Sequence, residues 1–267
     1  MRAHVPGAAP ARRRSDLATR AIAGLAMIAV ALAALYVGGI AFWLLASAAA
    51  LLMAAEWAGL MRARRVAIAI SLAALGFALG VASPLAGGAG EASLALLVAL
   101  AIGIAAMGRS ARLGAGLLYA GLPTLALLFL RAAPHGLALT LWTLAIVWAT
   151  DIGAYFSGRA IGGPKLAPAL SPNKTWAGLG GGVVAALIVG AGIAFASGLP
   201  RPLLLLGAPM AVLAQIGDLF ESWLKRRAGV KDSGRLLPGH GGALDRLDGV
   251  VPVATLIGFA VAIGWVA

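Results

Sequence analysis

The sequence predicts an all-α polytopic membrane protein of about nine transmembrane helices, with its N-terminus in the cytosol and its C-terminus outside. Three observations carry this expectation. Of 267 residues, 61% are apolar and only 11% charged, against roughly 45–50% and about 25% in a soluble domain. One globular core cannot hide that much apolar surface, so lipid must be the solvent. The apolar residues fall in runs near the ~20 residues that cross a bilayer, and the basic residues sit at the ends of those runs.

In chain order, a basic tail over 1–20 carries Arg12, Arg13 and Arg14 ahead of the first run. A signal peptide has this shape, but the next run follows at once with no polar, small-residue cleavage site between them, so the first span is read as retained. Five runs, 21–39, 40–61, 66–82, 92–108 and 113–130, fill a region 21–135. Four more, 136–157, 176–197, 202–223 and 249–266, fill a region 136–267, which also holds the two longest internal loops, 158–175 and 224–248. The 37 glycines suit helices that pack closely without a hydrophobic force between them. No cysteine is present, which excludes disulfides and thiolate metal sites.

Orientation follows from charge. With the N-terminus inside, 19 of the 21 basic residues fall on the inner side, and only Arg131 and Arg201 fall outside. One span more or fewer would flip every later loop and spoil this bias. The net charge of +12 therefore reads as topology signal and anionic-lipid contact, not as a nucleic-acid surface. Both long loops are placed in the cytosol.

The acidic residues locate the chemistry, because six of the nine lie between 151 and 248. Asp151 and Asp218 fall at or near the inner ends of apolar spans, where a carboxylate is costly unless it meets a polar cavity, a metal or a cation. Pairing with a nearby Lys or Arg is the plainer explanation. Asp245 and Asp248 are three apart, which in a helix puts both on one face. Such a pair beside Gly241 and Gly242, in a lysine- and arginine-rich loop, suits a metal–phosphate site, since Mg²⁺ takes one or two carboxylates plus phosphates and waters. Acidic residues opening a helix would look the same. Ser171, Pro172, Asn173, Lys174 and Thr175, just before a span, make either a phosphate cradle or an ordinary N-cap. Lys225, Arg226, Arg227 and Lys231 make either a topology anchor or a phosphate-binding group. His240 is read as a substrate or phosphate contact, since no second histidine accompanies it.

These residues resemble a known signature. Ser222, Lys225 and Arg226, then Lys231 and Asp232, then Pro238, His240, Gly241, Gly242, Asp245, Arg246 and Asp248 fall in the pattern of phosphatidate cytidylyltransferases (CDP-diacylglycerol synthases), without a gap over 222–248. The segments Asp151–Arg159 and Ser171–Thr175 are similar to that family too. Ala243 stands where the family tends to have a larger aliphatic residue. The resemblance implies the reaction CTP + phosphatidate → CDP-diacylglycerol + diphosphate, with Mg²⁺ and room for a second cation, in phospholipid biosynthesis at the cytosolic face of a bacterial inner membrane. It implies metal binding and catalysis at Asp218, Asp245 and Asp248, with Lys225 beside them. Ser171, Asn173, Lys174, Arg226, Lys231, His240 and Arg246 would bind substrate phosphates, and Asp151 and Glu221 would support the metal-binding carboxylates. Expected partners are CTP, phosphatidate and the bilayer, with a homodimer among the compatible states and no nucleic acid. The rival readings are a polyprenol- or phytol-kinase-like enzyme using CTP, and a transporter, which would instead place charges at the bilayer midplane.

Overall fold

A computed structural model describes residue 24 and residues 26–108, 110–234 and 241–266. Within these, nine apolar helices occupy the nine expected stretches: α1 (Ala26–Val37), α2 (Gly39–Leu60), α3 (Arg65–Val81), α4 (Glu91–Met107), α5 (Ala111–Ala132), α6 (Gly136–Ile161), α7 (Trp176–Ala196), α8 (Leu203–Ala228) and α10 (Val250–Ala262). Five of them, α2 and α5 to α8, are long and apolar enough to cross a membrane unaided. The all-α polytopic fold is as expected, and three local differences matter.

First, residues within the 158–175 loop form a small antiparallel hairpin, β1 (Lys165–Ala167) and β2 (Ser171–Thr175), with Lys165 opposite Thr175. Gly162 and Gly163, both at positive φ, and then Pro164 end α6 before this segment. Second, α6 and α8 run several residues beyond their apolar stretches, carrying Arg159 and the Lys225–Arg227 cluster out as helix. Hydropathy marks where lipid ends, and backbone hydrogen bonding does not stop there. Third, a four-residue helix, α9 (Leu244–Leu247), precedes α10.

α6 and α7 pack closely together, and small residues make this possible. A side chain at Gly153 would strike Ala185 and the Gly181 carbonyl, and one at Gly181 would strike Ser157. This is how helices associate when lipid is as apolar as their own side chains. Trp142 donates its indole N–H to the Gly190 carbonyl at 3.0 Å across the same interface. Buried hydroxyls of Thr124, Thr140, Thr143 and Thr150 each donate to the carbonyl four residues earlier, at 2.8–2.9 Å, so no partner is needed from lipid. Ile102, Ile188, Phe195 and Leu205 point outward as exposed apolar side chains. Arg131, one of the two basic residues outside the inner set, has a structural post. Its guanidinium donates to the carbonyls of Leu35 and Tyr36 at 2.8 and 3.1 Å, capping the C-terminal end of α1.

Candidate active site

The polar side chains gather where α6, β2 and α8 end and α9 begins. Along α8, Gln215, Asp218, Ser222 and Lys225 recur at three- and four-residue spacing and so share a face. The hairpin brings Lys174 to them. Its ammonium lies 2.5 Å from Asp218 and 2.9 Å from the Gln215 amide oxygen. A cavity of about 490 Å³ opens here, lined by Asp151, Arg159, Asn173, Lys174, Gln215 and Asp218 among others. Thr175 closes its wall by accepting from the Gly178 N–H at 3.0 Å, capping α7. The Ser171–Thr175 segment thus serves as strand and cap, and presents Asn173 and Lys174 to the cavity as well.

A second cluster lies one turn further along α8. Lys225 bridges Glu221 at 2.5 Å and Asp245 at 2.6 Å. The second oxygen of Asp245 accepts from the Gly242 N–H at 2.8 Å, the Ser233 N–H at 3.0 Å and the Ser233 hydroxyl at 2.9 Å. Burial alone would favour the neutral acid, but the neighbouring Glu221 carboxyl, Lys225 and these two amides together hold Asp245 well below the usual carboxylate range. Glu221 is 1% exposed, and among the described residues its other oxygen has no hydrogen-bond partner.

Asp248 joins the first cluster rather than the second. Burial, and then the charges of Asp218 and Asp151, push its carboxyl up to about 8, although the Gly249 N–H at 2.7 Å and Lys174 pull the other way. This close approach depends on Gly217, where any Cβ would collide with the Asp248 carbonyl oxygen and the Pro252 ring. Although Asp245 and Asp248 lie in or beside one helical turn, they therefore serve different neighbours.

Of the expected site residues, Asp151, Asn173, Lys174 and Asp218 line the cavity, Asp248 interacts with Asp218 and Asp151 through charge, and the charge of Arg246 acts on Asp151. Glu221, Lys225 and Asp245 form the adjoining cluster. Ser171 pairs in the hairpin with Ala167. Arg226 is exposed, with its guanidinium 3.4 Å from the Val230 carbonyl, and Lys231 is exposed. His240 lies outside the described residues. Among the described residues no group of three acidic or histidine side chains stands ready to hold a metal ion. The donor chemistry nevertheless fits one. Asp218 and Asp248 interact as like charges, and two carboxylates completed by phosphate oxygens and water are an ordinary Mg²⁺ set. Asp245 differs, because a lysine and three N–H or O–H donors already occupy its oxygens.

One participant was missed. Glu56 reaches the Asp245 segment from α2, through Ser233 and the Ala243 and Leu244 amides. Its signal was present, since it is the lone acid in the 40–61 apolar run. A separate cavity of about 480 Å³ lies beside Phe220, Trp223 and Leu224 of α8, lined also by Arg62, Arg112 and Arg227. Arg227 packs over the Trp223 ring at 5.3 Å.

An apolar bundle that brings Asp151, Asp218, Glu221 and Asp245 together with Lys174 and Lys225 at its helix ends has the build of a polytopic membrane enzyme. Which enzyme is a matter of descent. The chain belongs to the cytidylyltransferase family, whose model matches residues 18–263, and is thus a nucleotidyltransferase that uses CTP. It is 43% identical over 251 residues to the phosphatidate cytidylyltransferase of Brucella suis biovar 1, covering 91% of this chain and 92% of that one. It is 45% identical over 132 residues to the protein of that name from Bacillus subtilis, covering 48% and 49% of the two chains. The corresponding figures for that of Pseudomonas aeruginosa are 42% over 161 residues, 58% and 59%.

Proposed function

We propose that the chain transfers the cytidylyl group of CTP to phosphatidate, releasing diphosphate and forming CDP-diacylglycerol for phospholipid synthesis, with the chemistry in residues 136–267. The observation that carries this reading is the cavity at the polar end of α8 where Lys174 meets Asp218, with the Asp248 carboxyl within electrostatic reach of both. A phosphate monoester, with a second pKa near ~6, is already largely ionised at neutral pH, so its oxygen needs no strong general base. That oxygen attacks the α-phosphorus of CTP in line, the new P–O bond forms, and the bond to the departing diphosphate breaks. No proton need move. The obstacle is charge, because two anions must meet and a third must leave.

Lys174 is positioned to take a phosphate oxygen once Asp218 turns to a cation, and Asn173 and Arg159 line the same cavity. Asp218 and Asp248 would hold Mg²⁺, which screens the phosphates and polarises the α-phosphoryl group. Lys225, clamped by Glu221 and Asp245, adds a fixed positive charge one turn away. The purified protein given labelled CTP, phosphatidate and Mg²⁺ is expected to make CDP-lipid, and to make none without the divalent cation. Transfer to a polyprenol in place of phosphatidate would sink the reading.

We place this site on the cytosolic face of a bacterial cytoplasmic membrane, with the N-terminus inside, on the strength of the basic-residue bias. Because the chain has no cysteine, single cysteines report sidedness cleanly. In the exposed segments on either face, Leu85→Cys should react with an impermeant maleimide in intact cells, and Pro168→Cys only after permeabilisation. The opposite pattern refutes this orientation.

A further inference from the structure

We infer that Glu56 is a positioning residue for the transfer reaction, and that it moulds the turn carrying Asp245. The inference rests on the reading of this cluster as the transfer site. Glu56 is 5% exposed in α2, within an apolar run, and among the described residues the hydrogen bonds to its carboxylate come from the other end of the chain. One oxygen accepts from the Ala243 N–H at 3.0 Å. The other accepts from the Leu244 N–H at 2.9 Å and lies 3.0 Å from the Ser233 hydroxyl.

These donors interleave with those of Asp245. Of three successive amides, that of Gly242 serves Asp245, and those of Ala243 and Leu244 serve Glu56. The single Ser233 hydroxyl proton lies between the two carboxylates, within reach of both. Successive N–H groups make an anion-binding concavity, and here the anion is supplied by a side chain from a distant helix. The fit leaves no slack. A Cβ at Gly242 would run into the Glu56 carboxylate and Ser233, and a Cβ at Gly234 would run into the same carboxylate. Gly242 in the signature is thus small because Glu56 fills the space beside it.

A buried carboxylate with its hydrogen bonds met could be mere scaffolding. What marks this one is where its turn leads. Immediately after Leu244 comes Asp245, whose other oxygen grips Lys225, and Asp248 follows three residues on. Loss of the carboxylate would orphan the Ala243 and Leu244 amides, which no other described group satisfies. The turn would then relax, and the Asp245–Lys225 pair and Asp248 would shift with it. This gives the N-terminal helices a role in the chemistry, because α2 holds the reacting segment in place.

The test uses the full chain in detergent or nanodiscs. Glutamine offers one carbonyl oxygen and an NH₂ that cannot accept from an amide, so Glu56→Gln cannot serve both amides. Its kcat should fall about 10²-fold, the cost of a displacement near 1 Å, while KM for CTP stays within about threefold. Glu56→Asp keeps both oxygens and should recover about tenfold of that loss. Folded Glu56→Gln with wild-type kcat overturns the inference, as does a loss that Glu56→Asp does not recover. If the glutamine variant does not fold, Glu56→Asp is compared with wild type, and equal turnover overturns it. Hydrogen exchange at the Ala243 and Leu244 amides, slow in wild type and fast in Glu56→Gln, reads the placement without turnover. Should wild type itself make no CDP-lipid, the functional reading fails and the exchange result still decides on Glu56; unchanged exchange overturns the inference.

Discussion

Asp248→Asn is expected to lower turnover by about 10³-fold, the loss typical when one group that stabilises a charged transition state is removed, while the protein still inserts and folds. Asparagine is nearly isosteric and keeps an oxygen to accept from the Gly249 N–H, so the start of α10 is preserved. What disappears is the charge facing Asp218 and Asp151. The same change removes a carboxyl that burial, and then the charges of Asp218 and Asp151, push up to about 8, so thermal stability without divalent cation should hold or rise. Kinetics over a Mg²⁺ titration would check this, since a lost cation ligand should raise the Mg²⁺ concentration needed for half-maximal rate. Turnover near wild type at ordinary Mg²⁺ would remove Asp248 from the site.

Lys225→Met should damage stability as well as turnover. Lys225 bridges Glu221 and Asp245, with its side chain 13% exposed. Taking one partner from a buried ion pair typically costs about 3–5 kcal/mol, because the remaining charge stays unpaired. Glu221 is the vulnerable partner, since one of its oxygens already lacks a hydrogen bond, whereas Asp245 retains the Ser233 and Gly242 donors. Adding Glu221→Gln to Lys225→Met should therefore restore much of the lost thermal stability without restoring turnover. Thermal denaturation of both variants in one detergent measures the difference. A double variant no more stable than Lys225→Met would show that the lysine is not there to neutralise Glu221.

These expectations depend on the parts of the molecule that sequence reading reached unequally. Asp151 and Asp218 were legible because a carboxylate at the end of an apolar span is costly and stands out, and Asp248 was legible through its spacing from Asp245 and the signature around it. Lys174 was legible only as half of an ambiguity, since phosphate cradles and N-caps use the same residue types. In the structure Thr175 caps α7 while Lys174 reaches Asp218. Three-residue spacing suggested that Asp245 and Asp248 act together. Spacing fixes direction along a helix, but what each side chain meets depends on the neighbouring elements, and here α8 presents Lys225 to one and Asp218 to the other. Glu56 was unreadable in its role, because its partners lie 177 to 188 residues away.

The sequence by itself determined the solvent, the helix positions and the chemistry available. Apolar run length, basic-residue asymmetry and the few acids are local or additive quantities that need no knowledge of packing. Tertiary structure alone decided the grouping. It set Asp248 beside the Lys174–Asp218 pair and Asp245 against Lys225, and it recruited Glu56 from α2 to shape the turn that carries Asp245. The physical reason is that hydrogen bonds and charge pairs act over a few ångströms in space, a distance that separation along a folded chain does not set.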